Sequence, residues 1–184
     1  MTRITAVSPA LSGRKEQRPT QEDATSLDIE VDVVVTRILA APPVLVWRAW
    51  TEAKRVSAWW GPQGCEVSDC EIDLRVGGVF RLNLRAPDGT VHPCAGIFRE
   101  VRAPEHLVLE GVTAEGAAGA GSACGAGLPL GSVVTVTFQA AGDQTRLTLH
   151  TRFPNAAARR AAEASGYKEG WPQSFDRLAE ELAV

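Results

Sequence analysis

The stretch GYKEGWPQSFDRLAEELAV, residues 166–184, decides how the rest of this chain is read. Tyr167, Trp171, Phe175, Leu178 and Leu182 follow one another at intervals of four, four, three and four residues, which on a 3.6-residue helix places them on one face. Lys168, Glu169, Asp176, Arg177, Glu180 and Glu181 take the other face. Three aromatics on one stripe need a broad apolar partner, since burying each such side chain contributes about 1.5–3 kcal/mol. Gly166 is the expected cap before this helix, and Pro172 is expected in its first turn, where a missing N–H has no partner to lose.

Working outward, the segments upstream read as strands able to supply that partner. Ile29, Val31, Val33 and Val35 alternate with Glu30, Asp32 and Val34 and predict a first strand that becomes two-sided near its end. Pro42 and Pro43 then break it and open a helix whose buried side carries Val44, Trp47, Trp50 and Ala53. A second short helix is predicted over residues 52–59, ended by the turn residues Gly61-Pro62-Gln63-Gly64. Cys70, Ile72 and Leu74 alternate in the next strand, and Phe80, Leu82 and Leu84 in the one after it. Pro87-Asp88-Gly89 is a hairpin turn; residues 91–101 return, with Gly96 read as a bulge or a point of close approach. Residues 106–110 form a further strand, and two cleaner ones carry Val134, Val136 and Phe138, then Leu147, Leu149, Thr151 and Phe153, on their inner faces. Asn155 is the natural N-cap of a short helix before Gly166. The pattern predicts an α+β architecture in which a twisted antiparallel sheet has helices on one side, with room for a ligand cavity between them.

Two segments stand apart. Residues 1–27 carry isolated apolar residues with no period and are read as a flexible tail before one domain at 28–184. Residues 111–131 are rich in Gly, Ala and Ser and are read as a mobile loop.

The chain of 184 residues suits one domain, and its formal net charge of −3 gives no electrostatic reason to expect nucleic acid. No apolar run approaches the ~20 residues of a membrane helix. Cys65, Cys70, Cys94 and Cys124 show neither metal-ligand spacing nor a preceding signal segment, so the expectation is a cytoplasmic protein with reduced thiols, no metal and no cofactor. No nucleophile motif or phosphate-binding glycine loop is present, and no residue is assigned a catalytic role. His92, His106 and His150 are far apart in sequence, and neither their facing nor that of Glu100 follows from parity alone.

PVLVWRAWTEAKRVSAWWGP (43–62), DLRVGGVFRLNLRAPDG (73–89), GIFREVRAPEHLVLE (96–110), TVTFQ (135–139), TRLTLHTRFP (145–154) and GYKEGWPQSFDRLAEEL (166–182) occur in this order. Together they resemble the activator of heat-shock-protein-90 ATPase homologue family, of the START-like, SRPBCC or helix-grip superfamily, from about Ile29 to Leu182. The resemblance implies a curved antiparallel sheet wrapped around the long C-terminal helix, with two short helices after the first strand. It also implies a cavity between sheet and helix. The residues expected to line it are Trp47, Trp59, Trp60, Phe80, Leu82, Phe98, Leu107, Phe138, Leu149, Tyr167, Trp171 and Phe175. The leading expectation is binding of a small hydrophobic or aromatic molecule by a monomer or homodimer. The alternatives are a co-chaperone-like regulator of a heat-shock ATPase, and a cyclase-like or hydrolase-like enzyme using one of the histidines.

Overall fold

The computed structural model describes residues 27–113 and 127–183; the expected tail, most of the Gly/Ala-rich stretch and Cys124 lie outside them. The elements in chain order are β1 (Asp32–Leu39), α1 (Pro43–Thr51), α2 (Ala53–Trp59), β2 (Glu66–Ile72), β3 (Val79–Arg85), β4 (Val91–Arg102), β5 (His106–Gly111), β6 (Val133–Ala141), β7 (Gln144–Arg152), α3 (Ala156–Ala164) and α4 (Tyr167–Leu182). The seven strands form one antiparallel sheet in the order β1-β7-β6-β5-β4-β3-β2. Every neighbour except the β1–β7 pair is also a sequence neighbour, so turn chemistry does most of the assembly.

The sheet curls around α4, and alternation decides what it offers. Val33 and Leu39, Phe80, Leu82 and Leu84, Leu107 and Leu109, Val134, Val136 and Phe138, and Leu147 and Leu149 are all buried on the concave face. Against them α4 buries Tyr167, Trp171, Phe175 and Leu178. The helix-grip architecture expected from the sequence is therefore the observed one.

Five local expectations are corrected. Val44, expected on the buried side of α1, is 51% exposed, and Val46 and Ala49 are buried there instead. The first strand begins at Asp32 instead of Ile29, which is 75% exposed within a turn. Strand β2 stops at Ile72, and Leu74 lies beyond it, exposed. The bulge in β4 falls between Phe98 and Glu100, where the register with β5 shifts, while Gly96 keeps regular pairing with Phe80 and Gly111. Gly96 is the close approach that its lack of a side chain allows: a Cβ there would strike Leu128, and one on its partner Gly111 would strike the Pro129 carbonyl. These two facing glycines make a notch across which residues 128–129 pass. The chain is fastened beside it by Val112 N–H donating to the Ala95 carbonyl (3.0 Å) and Gly131 N–H to the Gly111 carbonyl (2.9 Å).

Pro172 is the fifth correction. It lies inside α4, not in the first turn, because the helix already begins at Tyr167 after Gly166 in the left-handed conformation at φ 81°. A proline there removes the amide that would reach the Lys168 carbonyl, at a helical cost of about 3 kcal/mol. Burial of Trp171 and Phe175 on either side offsets it.

Candidate functional site: an aromatic column between two recesses

Helices α1, α2 and α4 converge on one group of rings. Trp47 and Trp50 share a face of α1 because they are three residues apart, and Trp59 and Trp60 close α2. Trp50 is the hub, with ring centroids 4.9 Å from Trp59, 5.6 Å from Trp60, 6.1 Å from Phe138, 6.0 Å from Trp171 and 6.4 Å from Phe175. Phe138, Trp50, Trp171 and Tyr167 thus form a column along α4, its last step 6.3 Å.

Each end of the column meets an open recess, and the two lie at opposite ends of β6. A groove of about 630 Å³ borders Phe138, Pro43, Pro104, Glu105 and Gln139. A recess of about 260 Å³ borders Tyr167, Pro129, Leu130, Ala158, Ala161 and Ala162. Its outer wall is α3, which buries none of its nine residues. That helix is fastened mainly from outside, by the Asn155 cap on Ala158 N–H (2.9 Å) and by Arg159, which donates to the Ile29 carbonyl and pairs with Glu163.

Polar groups in this region have unequal partners. The Trp59 indole donates to the Ala49 carbonyl at 2.8 Å. The indole N–H groups of Trp50, Trp60 and Trp171 are buried and have no hydrogen-bond acceptor among the described residues. Leaving a buried donor unpaired costs about 1–3 kcal/mol. The Tyr167 hydroxyl meets Thr151 Oγ1 at 2.7 Å, and Trp171 lies within electrostatic reach of it without the geometry of a hydrogen bond. Burial pushes the Tyr167 phenol well above its ordinary range, and pushes the Cys94 thiol up to about 12. Both are protonated at neutral pH.

All twelve residues expected to line a cavity are buried in the one hydrophobic core. Trp47, Trp59, Trp60, Phe80, Phe98, Phe138, Tyr167, Trp171 and Phe175 belong to the connected rings. Leu82, Leu107 and Leu149 are inner-face sheet residues with no part in the column. Phe138 and Tyr167 reach the two recesses just described, and Phe80 a third of about 210 Å³ on β3 and β4. Sequence reasoning put Trp50 on the buried face of α1 but did not count it as a site residue; its i,i+3 spacing from Trp47 was the available signal. The Thr151–Tyr167 pair and the alanines of α3 had no comparable signal, because alanine periodicity is weak in hydropathy.

The facing of the histidines is now determined. His150 pairs with Asp32 at 3.0 Å and His106 with Glu100 at 3.4 Å, and the register puts both pairs on the outer face of the sheet. His92 lies opposite Leu84 on the inner face, half-buried at the start of β4. Among the described residues no histidine is fully buried, and the one buried carboxylate, Asp32, belongs to the outer-face pair with His150. Among the described residues no group of His, Cys, Asp and Glu is placed to hold a metal ion. No described helix is long and apolar enough to cross a membrane.

A family model described as activator of Hsp90 ATPase homolog 1-like protein matches residues 40–183. A crystal structure of a Nitrosomonas europaea protein is similar at 30% identity and a TM-score of 0.72, covering 85% of this chain and 97% of that one. A crystal structure from Mesorhizobium loti is 28% identical with a TM-score of 0.59, covering 83% of this chain and 96% of that one. The solution structure of an AHSA1-like protein from Aeromonas hydrophila shares the fold at 18% identity and a TM-score of 0.57, covering 82% and 92%. No curated protein matches this chain.

Proposed function

The chain belongs to the activator of Hsp90 ATPase homolog 1-like family, and we propose that this member binds a small apolar or aromatic molecule between its sheet and α4. The observation that carries the reading is the recess beneath α3. A helix with no fully buried residue, whose Ala158 and Ala162 are only partly buried against the core beside an apolar opening, is a wall that moves at small cost. Beneath it Tyr167 leads directly into the aromatic column. At about 260 Å³ the recess falls short of a typical ligand pocket, and outward displacement of α3 supplies the remainder. A planar apolar molecule would then stack against Tyr167 and Trp171.

Native mass spectrometry of protein purified from its own host tests this: a retained small molecule is the expected result. Naphthalene titration followed by tryptophan fluorescence is the second arm. No retained mass together with no fluorescence change would overturn the reading, and Ala161→Trp, which fills the recess, should abolish any change seen.

The family description supports a second reading, stimulation of a heat-shock ATPase. A purified ATPase of the Hsp90 type whose rate is unaffected by stoichiometric protein would remove it.

A further inference from the structure

The three indoles without acceptors are neighbours of one another. Ring centroids are 5.6 Å apart for Trp50 and Trp60, 5.2 Å for Trp60 and Trp171, and 6.0 Å for Trp50 and Trp171. They come from α1, from the residue that caps α2 and from α4, so the fold brings together three buried donors that no described residue answers. Trp59, in the same cluster, is answered by a carbonyl and shows that the local backbone can satisfy an indole. Tryptophan buries more ring area than phenylalanine, but each unanswered N–H offsets that gain by about 1–3 kcal/mol, and a partner for the N–H groups removes that cost.

Resting on the ligand-binding reading above, we propose that the molecule held here presents a neutral hydrogen-bond acceptor to the N–H groups of Trp50, Trp60 and Trp171. The class is an aromatic or polycyclic compound bearing a carbonyl, ether or phenol oxygen. The acceptor is neutral because no lysine, arginine or histidine is buried among the described residues to pair a buried anion, and Arg177, whose tip reaches the Trp60 carbonyl, is already shared among backbone carbonyls. Trp171 is also the member best able to move, since Gly170 and Pro172, the two weakest helix formers, flank it. Its withdrawal with the first turn of α4 opens the triangle toward Tyr167 and the recess under α3.

The test compares two probes of the same shape, 2-acetylnaphthalene and 2-isopropenylnaphthalene, on the full ¹⁵N-labelled chain. Its five tryptophans give five indole N–H resonances, assigned with Trp→Phe variants. The acetyl probe should bind about tenfold more tightly and shift the resonances of Trp50, Trp60 or Trp171 downfield, leaving that of Trp59 in place. Trp171→Phe and Trp60→Phe should each erase that preference while keeping most of the affinity for the isopropenyl probe. Chemical-shift dispersion elsewhere checks that each variant folds, and either one suffices. Equal binding of both probes with no selective indole shift overturns the acceptor proposal and leaves apolar binding standing. Failure of both probes to bind overturns the two readings together.

Discussion

The two halves of α4 are held by different chemistry. Residues 173–182 are fixed by directional polar bonds laid over a buried face. Arg177, which the sequence pattern put on the solvent face, is half-buried and folds back over the turn between α2 and β2. Its Nη1 lies 3.0–3.4 Å from the carbonyls of Trp60, Gly61, Pro62 and Cys65, and Nη2 is 3.1 Å from that of Ala58. Arg55–Glu181 and Arg37–Asp176 bind the same half to α2 and β1. Residues 167–172 have the Tyr167–Thr151 bond and ring contacts, contain the weak helix formers Gly170 and Pro172, and lie under a helix with no fully buried residue. Ring contacts are individually weak and can re-form on another ring; a guanidinium shared among carbonyls does not transfer so easily. The helix is thus anchored at one end and releasable at the other, and the recess is at the releasable end.

The largest effect that would test this contrast is in the anchored half. Phe175→Ala should lower the unfolding free energy by about 3–5 kcal/mol in urea denaturation, with no local opening short of global unfolding. Arg177→Met should cost about 2–4 kcal/mol, since several carbonyls lose a charged donor, and Arg177→Lys should not restore it because one ammonium cannot span them. If hydrogen exchange showed the two halves of α4 opening together in either variant, the contrast would fail. Pro172→Ala works in the opposite sense. It should raise stability by about 1–3 kcal/mol while slowing uptake of an apolar probe in stopped-flow fluorescence.

The smallest effect is with pH. Cys94 and Tyr167 keep their protons in the fold beyond the pH at which they would lose them unfolded. Between those values the unfolded chain binds fewer protons, so stability holds up to about pH 9 and falls as pH rises further, through the Cys94 thiol first and the Tyr167 phenol above 10. Denaturation midpoints from pH 7 to 11 should show this decline, and Tyr167→Phe should make its upper part shallower.

Much of the anchored architecture was legible in the chain because it rests on periodicity. Alternation in β3, β6 and β7 named the buried residues, and the four-residue spacing from Tyr167 to Phe175 named the helix face. Arg177 was misread for a physical reason: a long side chain with a polar tip crosses from one face of a helix to another element, and periodicity records only where the Cα points. Pro172 was misread because an isolated helix would start at proline, whereas tertiary burial of Trp171 outweighs that local preference. The three unanswered indoles were invisible because tryptophan in a sequence says nothing about where its N–H finds a partner. His92, His106 and His150 needed the register, which one bulge is enough to alter.

The notch formed by Gly96 and Gly111 separates two design problems that are joined in most sheets. Both strands receive the returning chain at a fixed point, and the bonds at Val112 and Gly131 secure it there. The register of β5 against β6 is accordingly clasped at the notch itself, by residues 111–112 on one side and 128–131 on the other.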